Sequence, residues 1–505
     1  MIEAENRRLT FLPDVSISRN IMQPNPDTYR QLAAEYDVIP VARERLADRE
    51  TPVSVLARFA HRPNVFLLES MEGGEKWGRY SFIGVDPAPW FEAGHARGPT
   101  GTLETLRKIY RDRRVAVLPG LPRFVGGAVG FIGYEAVGEF ERLPMPKPAD
   151  PDAVPLSAFV QADRVIVFDN IRHTLTIVIS TRPREFANPM RAYEQALVEI
   201  EAIEKILREP PPPDVPKPAA PVEFVSNLTA DEFRAMVSKA REYIHAGDVI
   251  QVVLSQRFRA RTSLDPVTVY RALRFLNPSP YTFFLRIGGR TLAGSSPEVM
   301  VRLTGNRVEL RPIAGTRPRG ATEQQDRELA DELLADEKER AEHVMLVDLG
   351  RNDLGRISET GSVQVTDYMV VERYSHVMHL VSHVQGILRK GLDAYDVIAA
   401  TFPAGTLSGA PKIRAMEIIR ELEPAPRGVY GGAVGYISYD GNMDLAITIR
   451  TLEIGPDQIA VQAGAGIVYD SDPDREYAET CHKARGMQKA VALAASGLDL
   501  EERGL

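Results

Sequence analysis

A proline-rich run divides this chain of 505 residues and limits what it can fold into. The run, EPPPPDVPKPAAP, occupies residues 209–221. Proline fixes φ and has no backbone N–H, so this stretch can lie neither inside a helix nor inside a sheet. We therefore predict a linker over 209–222 between an N-terminal region, 1–208, and a C-terminal domain, 223–505. The run alone leaves open whether the two parts share a sheet.

The segments after the linker mix helices with strands. Thr229 and Glu232 form a capping-box pattern at the start of a helix. The stretch VIQVVLSQRF, residues 249–258, is typical of a strand, and YISYDGNMDLAITIRTLEI predicts a hairpin with a two-residue turn at Asp440-Gly441. Helices and antiparallel strands occur without a βαβ rhythm, which indicates an α+β fold.

Composition and charge argue against several classes of protein. The net charge is −8 and the sequence pI about 5.8, so a nucleic-acid-binding surface is not expected. No apolar run reaches about eighteen residues, which predicts no membrane span, and the opening MIEAENRRLT does not look like a signal peptide. The single cysteine, Cys481, excludes a disulfide framework and a cysteine zinc cluster. We expect a cytoplasmic protein.

Two segments of ten residues repeat one another. GGAVGFIGYE at 126–135 and GGAVGYISYD at 431–440 match at seven of ten positions. Their glycines are typical of strand starts at which a backbone or a ligand approaches closely. The repeat fits either an old duplication or two strands in similar surroundings.

Two distant segments carry glutamate pairs at helical spacing. Glu339 and Glu342 lie in 321–349, whose propensities predict a helix, and Glu476 and Glu479 lie in a second predicted helix. A spacing of three places each pair on one helix face. Most such pairs are simply solvated. A hard cation such as Mg²⁺ prefers oxygen ligands, so two helices that face each other across a pocket could also hold one.

Common nucleotide and nucleophile motifs do not occur. Gly464 and Gly466 suggest a dinucleotide fingerprint, but Tyr469 occupies the place of its third glycine. The chain has no G-x-x-x-x-G-K-[ST] loop and no G-x-S-x-G elbow, and Cys481 lies in a helical stretch. Any chemistry therefore falls to carboxylates, a histidine, arginines, a hydroxyl and a metal.

Nine motifs stand in a fixed order between about residues 230 and 484. They are GSSPE (294–298), RPIAGTRPRG (311–320), ERAEHVMLVDLGRNDLGR (339–356), HVMHLVS (376–382), FPAGTLSGAPK (402–412), GVYGGAVGYI (428–437), AITIRT (446–451), QAGAGIV (462–468) and EYAETCHKA (476–484). Together they resemble the chorismate-utilising enzymes. The resemblance implies that family's α+β fold, with antiparallel β-sheets, helices packed outside and two interleaved layers.

Two positions discriminate among members of the family. Ala314 stands where aminodeoxychorismate synthases have a lysine, and Gln251 where isochorismate- and salicylate-forming members have a lysine base. An amide cannot deprotonate water near neutral pH, so Gln251 suits a site whose nucleophile is already ammonia. The resemblance thus implies amination of chorismate at C2 and loss of pyruvate, which forms anthranilate. The alternatives are an aminodeoxychorismate or aminodeoxyisochorismate synthase, or a non-catalytic regulatory subunit.

The resemblance also implies roles for individual residues. The catalytic positions are Glu298 as general acid, His379 in the elimination step, and Gln251. Contacts to substrate would come from Gly315, Thr316, Thr406, Tyr430, Arg450, Gly464, Ala465, Gly466 and Lys483. Mg²⁺ would be held by Glu342 and Glu479, with Glu339 and Glu476 nearby as direct or water-mediated ligands.

Each of these assignments has a purely structural alternative. Arg450, on a predicted strand, would form an internal salt bridge. Glu298 would be a surface glutamate after a turn, and His379 a satisfied core histidine. Gly464 and Gly466 would mark a tight strand crossing with no ligand.

Regulation and partners follow from the resemblance as well. FLLES (66–70) and NPSPYTFF (277–284) are similar to the stretches that build the family's tryptophan pocket. L-tryptophan would bind as feedback inhibitor to Glu69, Ser70, Pro280, Tyr281 and Thr282. The family often has methionine at the position of Thr282. The implied partner is a glutamine amidotransferase small subunit that supplies ammonia, in a heterotetramer of two plus two.

Overall fold

A computed structural model describes residues 22–70, 79–93, 101–110, 113–143, 155–212, 218–374 and 377–500. Its helices are α1 Pro26–Glu35, α2 Pro52–Phe59, α3 Thr102–Tyr110, α4 Met190–Arg208, α5 Ala230–His245, α6 Pro266–Leu276, α7 Glu323–Ala335, α8 Glu337–Gly355, α9 Ala394–Thr401, α10 Gly405–Ser408, α11 Lys412–Leu422 and α12 Pro473–Ala495. Short 3-10 helices cover Tyr134–Glu139 and Pro183–Glu185. None of the described helices is long and apolar enough to cross a membrane.

The strands alternate irregularly with these helices. They are β1 Met22–Gln23, β2 Ile39–Leu46, β3 Val65–Glu69, β4 Tyr80–Gly84, β5 Ala88–Ala93, β6 Gly127–Ile132, β7 Ser157–Ala162, β8 Arg164–Asp169, β9 Thr174–Thr181, β10 Val225–Ser226, β11 Gln251–Arg261, β12 Tyr281–Ile287, β13 Arg290–Ser296, β14 Val299–Thr304, β15 Arg307–Leu310, β16 Ile313–Pro318, β17 Gln364–Arg373, β18 Val377–Ile387, β19 Gly409–Ala410, β20 Ala433–Ser438, β21 Met443–Ile447, β22 Thr451–Ile454 and β23 Gln458–Ile467.

Two large antiparallel sheets organise the chain. The first runs β1-β2-β9-β8-β4-β3-β12-β13-β22-β23-β11-β10, and β19 pairs with β11. The second runs β16-β18-β15-β14-β21-β20-β6-β7-β5, and β17 pairs with β18. The predicted α+β class with antiparallel sheets is therefore confirmed.

Both sheets draw strands from both sides of the proline-rich run. In the first sheet β3 pairs with β12, which sets Glu69 opposite Thr282, and in the second β6 pairs with β20. The described parts of the run, 209–212 and 218–222, form neither helix nor strand, and 213–217 lie outside the described residues. The predicted linker thus separates the halves along the chain, while the sheets join them in space.

The two repeated segments are neighbours in the second sheet. β6 and β20 pair antiparallel, with Gly130 opposite Gly435. Gly435 has a φ of +153°, and a Cβ there would collide with the backbone of Asp444. Glycine is therefore required for the close approach of β20 to β21.

Apolar side chains fill the space between the sheets and the space outside them. Phe66 and Phe82 of the first sheet share one core with Val129 and Val434 of the second. Helices α1, α2, α4, α6 and α12 cover the outer face of the first sheet, and α3, α8, α9 and α10 cover that of the second. Burying each large apolar side chain contributes about 1.5–3 kcal/mol, so the helices are held outside a two-sheet sandwich, as the resemblance implied.

Two local predictions need correction. The stretch 321–349 forms two helices, because the backbone leaves helical geometry at Asp336, whose side chain then caps α8 through the amides of Lys338 and Glu339. The hairpin loop is one residue longer than predicted. Ser438 and Asn442 close it with a backbone hydrogen bond, and Gly441 takes the left-handed conformation at its end, with φ +87°.

Candidate active site

Helices α8 and α12 meet the same pair of strands. The Nε2 of Gln251, on β11, donates to Oε1 of Glu342 on α8 at 3.2 Å. The Nζ of Lys483, on α12, donates to the carbonyl of Gly464 on β23 at 3.0 Å. Because β11 and β23 are hydrogen-bonded neighbours, both glutamate-bearing helices are brought to one place. We call the space between them the α8–α12 cleft.

Two of the four glutamates, Glu339 and Glu476, have a raised pKa, and Arg317 lies 3.6 Å from Glu339. Burial raises the pKa of Glu339, and the charges of Glu342 and Asp336 raise it further. Burial also raises the pKa of Glu476, where a hydrogen bond from Ser471 opposes the shift and the charge of Glu479 adds to it. Lys483 lies 2.6 Å from Glu479 and offsets part of that charge.

These carboxylates suit a hard cation without forming a closed cage for one. No group of three or more His, Cys, Asp or Glu side chains in the described chain is arranged as a metal-binding cluster. Mg²⁺ usually takes one or two protein carboxylates and completes its shell with substrate and water. The oxygen donors and their mutual repulsion fit that mode of binding.

Glycines in β23 make room for site side chains. A Cβ on Gly464 would lie 2.6 Å from the hydroxyl of Tyr430, and one on Gly466 would lie 2.5 Å from Nε2 of Gln251. Ala465, between them, is fully buried. Pairing of β23 with β22 ends at Val461, so the glycine stretch lies where these two strands have separated. The glycines therefore admit site side chains, and Gly464 also allows the close approach of β23 to β11.

Arg450 lies at the start of that separation and has an unusual backbone. Its φ is +50°, a left-handed value that costs a non-glycine residue energy and is typical of functional sites. Within the described residues its guanidinium has no hydrogen bond and no ion pair. Burial lowers the pKa of Arg450, and the charges of Tyr430 and Glu479 only partly oppose this. The alternative of an internal salt bridge is therefore not realised, and an anionic ligand is the expected partner.

Glu298, between β13 and β14, is buried rather than exposed. Only 9% of its surface is accessible, and Thr406 Oγ1 donates to its Oε1 at 3.1 Å. Burial raises the pKa of Glu298 to about 8, although the Thr406 hydrogen bond opposes the shift. A carboxyl in this state holds its proton at neutral pH and can donate it.

A bulge in β16 lies opposite His379. The pairing of β16 with β18 slips between Ala314 and Arg317, so Gly315 and Thr316 bulge opposite His379. The histidine Nδ1 lies 2.8 Å from the carbonyl of Gly315 and 3.1 Å from Oγ1 of Thr316. A carbonyl only accepts, so Nδ1 carries the hydrogen and the neutral ring keeps its lone pair on Nε2.

Helix α8 joins these groups into one site. A Cβ on Gly315 would lie 3.2 Å from Oε2 of Glu339 in its first turn. Glu342 bonds Gln251 one turn later. Further along, Leu349 packs against Gly405, beside Thr406 and Glu298. His379 is half-exposed here, which excludes the core-histidine alternative.

A second cavity lies between the two sheets and is lined by all five residues predicted to bind tryptophan. It has a volume of about 300 Å³, and its walls include Glu69, Ser70, Pro280, Tyr281 and Thr282. We call it the inter-sheet cavity. Tyr270 donates to Oε2 of Glu69 at 2.5 Å and Arg274 donates to the same oxygen at 2.9 Å. On the opposite wall Arg302 and Asp444 form an ion pair at 2.8 Å.

Sequence reasoning missed two buried groups that hold the site together. Arg427 is 2% exposed and donates to Glu423 and to the carbonyls of Leu407 and Val253. These hydrogen bonds fix the position of the loop that carries Tyr430. The signal in the sequence was an arginine inside the apolar, glycine-rich stretch after α11.

His343 is the second missed group. It is fully buried on α8, and its Nε2 lies 2.6 Å from Oγ of Ser382 on β18. Burial lowers the pKa of His343 to about 4, so the ring is neutral and serves packing.

Comparison with known proteins agrees with the motifs and the geometry. The family described as chorismate binding enzyme matches residues 64–489. The chain belongs to the chorismate binding enzyme family. This family member is similar to anthranilate synthase component 1 of Pseudomonas putida, with 49% identity over 93% of this chain and 99% of the relative.

Solved structures of chorismate binding enzymes share the fold. Anthranilate synthase component I of Streptococcus pneumoniae superposes with a TM-score of 0.73 at 40% identity, covering 83% of this chain and 95% of that one. The menaquinone-specific isochorismate synthase of Escherichia coli superposes at 0.69 with 19% identity, covering 92% and 98%, and shows likeness of fold alone.

Proposed function

We propose that this chorismate binding enzyme is the aminating component of an anthranilate synthase and converts chorismate and ammonia to anthranilate, pyruvate and water, the first step of tryptophan biosynthesis. The observation that carries the proposal is its similarity to relatives named anthranilate synthase component 1 over nearly the whole of both chains. We also propose that the enzyme acts in the cytoplasm.

Substrate binding relies on the unpaired cation of the α8–α12 cleft. Arg450 and the hydroxyl of Tyr430 bind the enolpyruvyl carboxylate. Backbone amides over 464–466 and the hydroxyl of Thr406 bind the ring carboxylate, while Gly315 and Thr316 line the site. An unpaired guanidinium and preorganised N–H donors recognise carboxylates strongly in a desolvated site, which supports a dicarboxylate as substrate.

The first step adds ammonia and removes a hydroxyl. Ammonia attacks C2, the ring double bonds shift, and the C4–O bond breaks. The ammonium group formed at C2 then loses one proton to solvent and becomes the amine. Glu298 gives its proton to the leaving hydroxyl, which departs as water; its buried, protonated state supports this role. Gln251 neither gains nor loses a proton here, and its amide orients Glu342.

The second step makes the ring aromatic. The C2–H bond breaks, its electron pair enters the ring, and the bond between C3 and the enolpyruvyl oxygen breaks. The pyruvate enolate that leaves takes up a proton at its methylene carbon and becomes pyruvate. His379 accepts the C2 proton at Nε2, since Nδ1–H is held by the carbonyl of Gly315.

A divalent cation completes the proposed site. Mg²⁺ would be held by Glu342 and Glu479, with Glu339 and Glu476 nearby, and would supply positive charge that polarises the ring carboxylate. The raised pKa of Glu339, from burial and the neighbouring acids, supports a missing counter-charge.

Ammonia and regulation involve other molecules. The relatives are named as one component of their synthase, which supports a partner. We propose a glutamine amidotransferase subunit as the source of ammonia, in a two-plus-two assembly. L-tryptophan would bind in the inter-sheet cavity as feedback inhibitor.

An aminodeoxychorismate or aminodeoxyisochorismate synthase is the nearest alternative, and a non-catalytic subunit the more distant one. Ala314, which is buried on β16, disfavours an aminodeoxychorismate synthase because it cannot supply the lysine that those enzymes use. The ordered Glu298, Arg450 and His379 disfavour loss of activity.

The test mixes the purified chain with chorismate, Mg²⁺ and an ammonium salt at alkaline pH. We expect fluorescent anthranilate with one pyruvate for each chorismate, and loss of both on chelation. Chorismate consumed without pyruvate would instead indicate an aminodeoxychorismate-type product. No consumption with ammonium or with an added amidotransferase subunit would contradict the proposal.

A further inference from the structure

A small cavity is lined by Glu298 and, on another wall, by Asp353. Its volume is about 40 Å³, enough for about two water molecules. Its polar walls are Glu298, Thr406, Thr401, Arg311 and Asp353, and apolar side chains form the rest. A cavity with several polar partners is one that water occupies.

Asp353, which lines this cavity, forms a buried ion pair with Lys412. Asp353, on α8, is 5% exposed. Lys412, the first residue of α11, donates to its Oδ2 at 2.8 Å and to the carbonyl of Thr401 at 3.2 Å. The Lys412 side chain is 12% exposed, so it also meets solvent. In the described part of the chain, Oδ1 of Asp353 has no hydrogen-bond partner.

Because Glu298 is buried, its carboxylate needs a route by which it regains a proton. In the proposed reaction it gives up a proton in every turnover and must regain one before the next. Thr406 is the one described side chain that hydrogen-bonds its carboxyl. The charged groups around the cavity are Arg311 on its wall, Arg356 beside Asp353 on α8, and Lys412 on α11. Of these three, Lys412 is the one whose side chain donates to the Asp353 carboxylate.

We propose that Lys412 and Asp353 return a proton to Glu298 through water in this cavity. The inference rests on the proposed function, in which Glu298 is the general acid. An N–H bond of the Lys412 ammonium breaks and its electron pair stays on nitrogen. The proton passes by way of Asp353 and the cavity water, and an O–H bond forms on the Glu298 carboxylate. Lys412 then takes a proton from solvent. Asp353 is a positioning residue, since it touches neither substrate nor the reacting atoms.

The test compares the first turnover with later ones. Enzyme is mixed rapidly with chorismate, Mg²⁺ and ammonium at pH 7, where a carboxyl with the pKa of Glu298, about 8 because of burial, starts protonated. In Asp353→Asn we expect a first turnover within about twofold of the parent chain and later turnovers at least tenfold slower. The result is a burst of one anthranilate per site. A merely structural role would slow both phases alike.

Two further variants serve as controls. Asp348→Asn, on the same helix, changes an exposed carboxylate that pairs with Arg351 and should show no burst. The double variant Asp353→Asn/Lys412→Met leaves no buried charge unpaired, so it guards against misfolding of the single variant. It should show the same burst, and thermal unfolding verifies that each variant is folded.

The remaining outcomes overturn the relay. Parent-like later turnovers in both variants would mean that Glu298 regains its proton from the open cleft. Equal slowing of all turnovers would mean that the ion pair of Asp353 and Lys412 has a structural role alone. If the parent chain itself forms no anthranilate, the proposed function fails and the relay fails with it.

Discussion

In the inter-sheet cavity Glu69 is bonded by Tyr270 and Arg274, and Arg302 is paired with Asp444. In the α8–α12 cleft Arg450 has no ion pair in the described chain, and the glutamates repel one another. The first region is neutralised by its own side chains, so it is preformed before any ligand arrives. The second is left unbalanced, which is how a site keeps binding energy for a charged substrate and for the transition state.

The largest expected effect is the loss of activity on substitution of Glu298. Glu298→Gln keeps the shape and removes the transferable proton, so we expect activity to fall by about 10²–10⁴-fold. Folding should be unaffected, because a buried carboxyl is replaced by a neutral amide. Anthranilate fluorescence and thermal unfolding measure the two, and near-parental activity would remove Glu298 from the mechanism.

The next effect is on stability, in the inter-sheet cavity. Arg302→Gln would leave Asp444 buried and unpaired, which costs about 3–5 kcal/mol. Denaturant unfolding measures the loss. Arg302→Gln/Asp444→Asn serves as control and should recover much of it. A single variant as stable as the parent would show that this wall is not neutralised as described.

Arg450→Gln is the matched change in the cleft and should behave in the opposite way. Since the guanidinium has no protein partner to strand, stability should hold. A hydrogen bond to a charged group contributes about 1.5–3 kcal/mol, so kcat/KM should fall by about 10- to 150-fold. Arg485→Gln, on the exposed face of α12, is the control. Loss of stability without loss of kcat/KM would assign Arg450 to the fold.

Glu69→Gln tests whether the inter-sheet cavity binds L-tryptophan. The variant removes the negative charge that would meet the ammonium group of L-tryptophan, so inhibition should weaken by about tenfold while uninhibited activity stays the same. Calorimetry should also show unchanged tryptophan binding in Glu298→Gln. Failure of millimolar tryptophan to inhibit the parent chain would contradict the regulatory role altogether.

The smallest effect is a pH dependence. Burial raises the pKa of Glu298 from 4.5 to about 8. At constant free ammonia, kcat/KM should fall by about twofold between pH 7 and pH 8 and steeply above, because the acid form is lost. The stability that the protonated group contributes is complete below pH 4.5 and disappears as the pH rises through about 8. Glu298→Gln should abolish both trends.

Motifs close together in the chain were predicted well. The helical state of the segments that carry the glutamate pairs and the presence of a hairpin near Gly441 depend on neighbouring residues, although the first helix is divided and the loop is one residue longer than predicted. The break at Asp336 was not predicted, because the helix propensity of its neighbours is high, although Asp336 followed three residues later by Glu339 is a local capping signal.

The sequence by itself determined the α+β class, the order of the motifs and the family to which the chain belongs, since these depend on residue identity and short spacing. Tertiary structure decided that both sheets cross the proline-rich run and that Glu298 is buried while Arg450 lacks an ion pair in the described chain. It also decided that Asp353, which is paired with Lys412, lines the same cavity as Glu298. Burial and pairing join residues a hundred or more positions apart, and the free energy of a charge depends on those distant neighbours.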